Sequence, residues 1–229
     1  MKDTTQQSPD RRPIAVRSLA ISQSMTRALA GMGATPDGIS IASIVFGVAA
    51  GVCMAATRCP ELTVNHRVWW LLGAGLIALR LLANMMDGMV AVEAGKGGPL
   101  GAIYNEVPDR INDIAILVGV GYGAGGSVLL GLWASILAVV TAYIRAQGVA
   151  AGAQQHFEGP MAKPHRMWLV IAAAIYCGVT PVAWQQVHSE CGKGIMAGVL
   201  ALIILGSVIT CIRRLAGIAR DLQEKDAEG

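Results

Sequence analysis

Six apolar stretches, 39–56, 68–92, about 100–123, 127–152, 167–184 and 194–212, divide this chain and decide what it can fold into. Each approaches the roughly 20 residues an α-helix needs to cross a bilayer's hydrocarbon core. In lipid, every backbone N–H and C=O has to be satisfied within the segment, so runs of this length can span only as helices. Composition agrees. Of 229 residues, 54% are hydrophobic and 14% charged, against about 25% charged in a soluble domain. The stretches are rich in Gly and Ala, which lets helices approach closely where no hydrophobic effect drives association. The expected fold class is an all-α integral membrane protein of six transmembrane helices. It divides into a cytoplasmic N-terminal segment (1–34), a six-helix transmembrane domain (35–218) and a polar C-terminal tail (219–229) that frays into solvent.

Orientation follows from Lys and Arg, which accumulate on the cytoplasmic side. With the N-terminus inside, that face receives Lys2, Arg11, Arg12, Arg17, Arg27, Lys96, Lys163, Arg166, Arg213, Arg214, Arg220 and Lys225. The opposite loops hold Arg58, Arg67 and Lys193. Both termini are therefore expected inside. The first 13 residues are polar, and the apolar run that would make them a signal peptide does not follow directly. In "RSLAISQSMTRALAGMG" (17–33), Leu19, Ile21, Met25, Leu29 and Met32 share helical spacing with Arg17 and Arg27 off that face. This predicts an amphipathic helix, lying along the interface or packed on the protein itself. Trp69, Trp70, Trp168 and Trp184 fall at span ends and read as interfacial anchors. Cys53, Cys177 and Cys211 lie in apolar runs as packing residues, while Cys59 and Cys191 fall in two outer loops where they could pair.

One segment breaks the apolar pattern: "NMMDGMVAVEAGKGGPLGAIYNEVPDRIND", residues 84–113. Ionisable residues at membrane depth are costly and mark functional sites. Here they are ordered. Asn84, Asp87, Gly88 and Ala91 sit at i, i+3, i+4 and i+7, one face of a helix. Gly101, Asn105, Asp109 and Asp113 follow at steps of four. The link "EAGKGGP" is short, which makes the two helices antiparallel neighbours with converging polar faces near the cytoplasmic side. Oxygen ligands with no Cys, and no His in the cluster, suit a hard cation such as Mg²⁺ or Mn²⁺. Such a cation at a membrane surface implies a phosphate substrate. Pro108 either bends the second of these helices or marks the first turn of a helix beginning near Glu106.

These spacings resemble the signature of the CDP-alcohol phosphatidyltransferase family, D-x-x-D-G-x-x-A-R-x8-G-x-x-x-D-x-x-x-D. Its fixed positions fall on Asn84, Asp87, Gly88, Ala91, Val92, Gly101, Asn105 and Asp109, with the gap from Glu93 to Leu100 intact. Asp87, Gly88, Ala91, Gly101 and Asp109 match; Asn84 and Asn105 replace acids, and Val92 replaces the Arg. The six spans and "TPDGIS" before the first also resemble the family. Asn offers a carbonyl oxygen but no charge, so the site is thinner than the family's. Asp113, one turn beyond Asp109, is the best-placed substitute, with Glu106 and Glu93 as others.

The resemblance implies a metal-dependent enzyme that transfers the phosphatidyl group of CDP-diacylglycerol to a polar alcohol and releases CMP. Asp87 and Asp109 become metal ligands, with Asn84, Asn105 and Asp113 as further oxygens. Asp109 is the candidate general base and Asp113 its rival. Gly88, Ala91 and Gly101 would make room for the CDP moiety. Arg145, Lys163 and Arg166, with His165, would hold an anionic acceptor head, unless they are ordinary positive-inside flanking charge. Arg80, deeper in the second span, pairs with an acid or contacts lipid phosphate. The family also implies a homodimer in a bacterial inner membrane with its site on the cytoplasmic side, and no nucleic-acid partner. A catalytically degenerate scaffold of this fold and a small ion or metal transporter are the other classes compatible with intramembrane acids. Clustering of the acids near one face, rather than along a path across the bilayer, speaks against the transporter.

Overall fold

The computed structural model describes residue 31 and residues 35–59, 66–93, 99–185 and 192–228. The amphipathic segment 17–33 (Gly31 apart), the 94–98 link and Cys191, with its expected pairing, lie outside the described residues. Within them the fold is all-helical: α1 (Pro36–Ala56), α2 (His66–Glu93), α3 (Pro99–Tyr122), α4 (Val128–Ala150), α5 (Lys163–Val179) and α6 (Ile195–Glu228). One 3₁₀ turn, Val182–Trp184, follows α5.

Local chemistry sets several ends. Thr35 caps α1, its hydroxyl accepting from the Gly38 N–H at 3.1 Å, and Pro36 fills the first turn. At the other end Thr57 donates to the Met54 carbonyl at 2.6 Å and accepts from the Ala124 N–H at 2.9 Å, which ties α1 to the α3–α4 turn. α5 stops at Val179 because Thr180 precedes Pro181 and takes an extended conformation. It also starts at Lys163, earlier than the apolar run suggested. Pro108 lies inside α3 rather than at its start.

The helices pack in a ring in the order α5, α2, α1, α3, α4, α6, closing on α5. α1 and α3 cross backbone to backbone: a Cβ on Gly119 would lie 2.2 Å from the Gly51 carbonyl oxygen, and one on Gly51 2.3 Å from that of Ala115. Only glycine permits that approach. α2 and α3 touch each other far less than each touches α1, which leaves room between their facing sides for the polar residues they carry.

The packing is inverted relative to a water-soluble bundle. Ile41, Val45 and Val52 of α1, Leu129 and Trp133 of α4, and Leu205 and Ile212 of α6 are exposed, while Arg80, Asp87, Asp109, Asp113 and Arg166 are buried. A bilayer solvates the first group as well as a core would. Among the described residues, four stretches are long and apolar enough to cross a membrane: Gly38–Ala56, His66–Asp87, Val128–Ala150 and Ile195–Ala227. α3 falls short because it carries Glu106, Asp109, Arg110, Asn112 and Asp113, and α5 because it has 17 residues. Trp70, expected at the interface, is 1% exposed and packs in the core, whereas Trp168 and Trp184 face outward. The chain after 218 remains helical as far as Glu228 instead of fraying.

Candidate active site

On α2, Arg80, Asn84 and Asp87 lie on one face; on α3, Asp109, Asn112 and Asp113 lie on another. The two helices run antiparallel, so Arg80 comes level with Asp113 and Asn84 with Asp109. Arg80 is fully buried. Its Nη2 donates to Asp109 Oδ1 at 3.1 Å, to Asp113 Oδ1 at 3.2 Å and to the Asp109 carbonyl at 3.4 Å. Arg80 Nε and Nη1 are buried without a hydrogen-bond partner among the described residues.

α5 supplies two more cations. Arg166, 1% exposed, donates through Nη2 to Asp113 Oδ2 at 2.8 Å. Its Nη1 donates to Thr141 Oγ1 on α4 at 3.3 Å and to the Met161 carbonyl at 2.9 Å. Both Asp113 oxygens are thus held by buried guanidinium groups. Lys163 Nζ donates to Asn84 Oδ1 at 2.6 Å and to Asp109 Oδ2, bridging α2 and α3. α1 closes the other wall. Ser40 Oγ donates to Asp87 Oδ2 at 2.6 Å, and Asn112 Nδ2 donates to Ser43 Oγ at 3.3 Å. Gly47 lets α1 pass this point, since a Cβ there would lie 2.1 Å from Asn112 Oδ1.

Toward solvent, Glu106 pairs with Arg145 of α4 and, at 3.4 Å, with Arg110 Nη2. Arg145 also stacks over the Phe157 ring at 5.3 Å. These four form a partly exposed rim over the buried set. Arg214 of α6 donates to the carbonyls of Thr141 and Glu158.

The fold therefore brings Asn84, Asp109, Asp113, Lys163 and Arg166 into one cluster, with buried Asp87 one turn along α2 from Asn84 and held by Ser40, and sets Arg145 at its rim. Gly88 and Ala91 are in α2, and Gly101 and Asn105 in α3; their side-chain surroundings lie outside the described residues. His165 bonds the Pro160 carbonyl at 3.0 Å. Sequence reasoning missed Ser40, Ser43 and Thr141, small hydroxyls within apolar runs that carry no spacing signal of their own. It counted Arg214 only as flanking charge.

The donor set can be tested for a metal ion. Among the described residues, no three of His, Cys, Asp and Glu gather as a metal group, and an amide, Asn84, stands where the family signature has its first acid. Asn84 Oδ1 and Asp109 Oδ2 nevertheless converge on one cationic atom, the Lys163 ammonium nitrogen. An all-oxygen pair already organised around a cation fits a hard divalent ion.

The sequence family described as CDP-alcohol phosphatidyltransferase matches residues 34–206. A phosphatidylinositol phosphate synthase of Mycobacteroides abscessus is 29% identical over 213 residues, 90% of each chain. The solved phosphatidylinositol phosphate synthase of Mycobacterium tuberculosis with CDP-DAG bound superposes with a TM-score of 0.68 at 23% identity, covering 87% of this chain and 94% of that one. The same enzyme in complex with manganese and citrate gives 0.66 at 24%, over 86% and 88%. These superpositions show a shared fold.

Proposed function

Because the chain belongs to the CDP-alcohol phosphatidyltransferase family, we propose that it moves a phosphatidyl group from CDP-diacylglycerol to a polar alcohol in phospholipid biosynthesis, releasing CMP. The observation that carries this reading is the convergence of Asn84 and Asp109 oxygens on one cation, beside buried Asp87. Asp87 and Asp109 are the charged ligands of a divalent ion, Mg²⁺ or Mn²⁺, with Asn84 and Asn105 adding neutral oxygens. When bound, that ion neutralises the diphosphate.

The chain's own groups do the rest. The acceptor hydroxyl oxygen forms a bond to the β-phosphorus as the bond from that phosphorus to the bridging oxygen breaks, and CMP leaves with the bridging oxygen. The hydroxyl proton passes to Asp109. Asp113 is the weaker candidate for base: fully buried Arg80 and Arg166 hold its two oxygens, whereas the partners of Asp109 Oδ2, Lys163 and Arg110, are side chains 20% exposed toward the rim; the buried clamp suits Asp113 to positioning α3 against α2 and α5. The family signature assigns Gly88, Ala91 and Gly101 to the cytidine nucleotide. Arg145, at the rim, is placed to meet an anionic acceptor head, with Lys163 behind it. Arg166 is committed to Asp113 and acts from within. The relatives' name points to a phosphorylated inositol as acceptor. All six helices span, with both termini and the site on the cytoplasmic face of a bacterial inner membrane, and the chain acts as a homodimer.

Product analysis tests the acceptor. Purified protein is incubated with CDP-diacylglycerol and, separately, inositol phosphate, glycerol 3-phosphate or serine, and the lipids are read by mass spectrometry. A phosphatidylinositol phosphate product is expected. Another lipid would reassign the acceptor, and no new lipid with any alcohol would favour the noncatalytic scaffold.

A further inference from the structure

We propose that Lys163 is the resident counter-cation of the site: its ammonium holds the point where Asn84 Oδ1 and Asp109 Oδ2 converge, and must withdraw before a divalent cation can be held there. This rests on the metal-assisted transfer proposed above. Two independent observations support it. The first is placement: Lys163 Nζ bonds both oxygens at once, from a helix that contributes neither. An ammonium has three donors and no acceptor, so it satisfies an amide carbonyl and a carboxylate together.

The second is charge. Asp109 and Asp113 already face buried Arg80 and Arg166, with Lys163 and Arg110, side chains 20% exposed, closing on Asp109, and buried Asp87 lies one turn along α2 from Asn84. A divalent ion added to a set whose carboxylates are matched by cations would leave uncompensated positive charge in the interior, which is costly. Asn84 sharpens the point, because an amide there attracts a divalent ion less than a carboxylate would but accepts from an ammonium just as well. Withdrawal of Lys163, or arrival of an anionic diphosphate, restores the balance. Metal and nucleotide should therefore bind cooperatively.

Mn²⁺ titration followed by electron paramagnetic resonance tests this on full-length protein in detergent without nucleotide. Lys163→Met and Lys163→Gln should bind Mn²⁺ at least about tenfold tighter than wild type, and Lys163→Arg should stay near wild type. Size-exclusion profiles establish that each variant is folded, and the polar Gln variant guards against failure of the Met variant. Equal or weaker Mn²⁺ binding by the neutral variants, including no binding by any protein, overturns the proposal. CMP release by wild type separates the two claims. Metal-dependent release with unchanged Mn²⁺ affinity sinks only the role of Lys163, whereas absent release sinks the transferase reading itself.

Discussion

Asp109 meets cations from three helices: Arg80 from α2, Lys163 from α5 and, at 3.9 Å, Arg110 from α3 itself. Its carboxylate lies one helical turn from Glu106 and the partly exposed rim. Asp109→Asn keeps the shape and removes the charge, so CMP release should fall about 10²–10⁴-fold, measured with CDP-diacylglycerol at saturating metal. Arg80 invites a different test. Removing one partner of a buried ion pair costs about 3–5 kcal/mol, and because Asp109 and Asp113 each keep another cation, Arg80→Met should fall at the low end. The readout is the thermal midpoint in detergent, with Arg80→Lys recovering part of the loss. An unchanged midpoint in Arg80→Met would mean the pairing contributes nothing to stability. At this scale the sequence was half legible. Arg80 announced itself by interrupting an apolar run, but its partners lie 29 and 33 residues away, beyond the reach of any helical spacing.

The segment between α4 and α5 sets where Lys163 and Arg166 enter the site, and α6 holds it. Met161 N–H donates to Thr210 Oγ1 at 3.1 Å, and Arg214 Nε donates to the Glu158 carbonyl at 3.2 Å. Asp221 accepts from Gln154 N–H at 2.8 Å and faces the His156 ring at 2.9 Å. These contacts explain why α6 outlasts its apolar part. The tail read as fraying because its partners are remote in sequence and its own residues carry no apolar period. Gly159 is the sensitive point, with φ 120° and a Cβ position 2.5 Å from Thr210 Cγ2. Gly159→Ala should cost about 1–3 kcal/mol and lower the thermal midpoint, whereas Gly198→Ala, where a Cβ meets nothing within 4 Å, should not. The Gln154 N–H, and after it the His156 ring, hold the Asp221 carboxyl below the usual carboxylate range. A lowered folded pKa contributes stability above the unfolded value and loses it as pH falls through the folded one. The midpoint gap between wild type and Asp221→Asn should therefore be present at neutral pH and close in acid.

Across the whole molecule, the inverted distribution of apolar and charged residues makes a bilayer the natural solvent and the ring interior the place for chemistry. The helices and the polar faces of α2 and α3 were legible because periodicity and charge deficit are local signals. The hydroxyls of α1 and α4 and the pairing of Lys163 and Arg166 with Asp109 and Asp113 were not, since they depend on which helix stands beside which. The looseness between α2 and α3, unlike their tight packing on α1, is likewise a property of the ring. The most direct measurement is CMP release from CDP-diacylglycerol by purified protein with a polar alcohol acceptor, before and after chelation. Release that stops with chelator, returns with Mn²⁺ or Mg²⁺ and is lost in Asp109→Asn is the predicted result. Absence of release with every acceptor, or release indifferent to chelator and to Asp109→Asn, would contradict it.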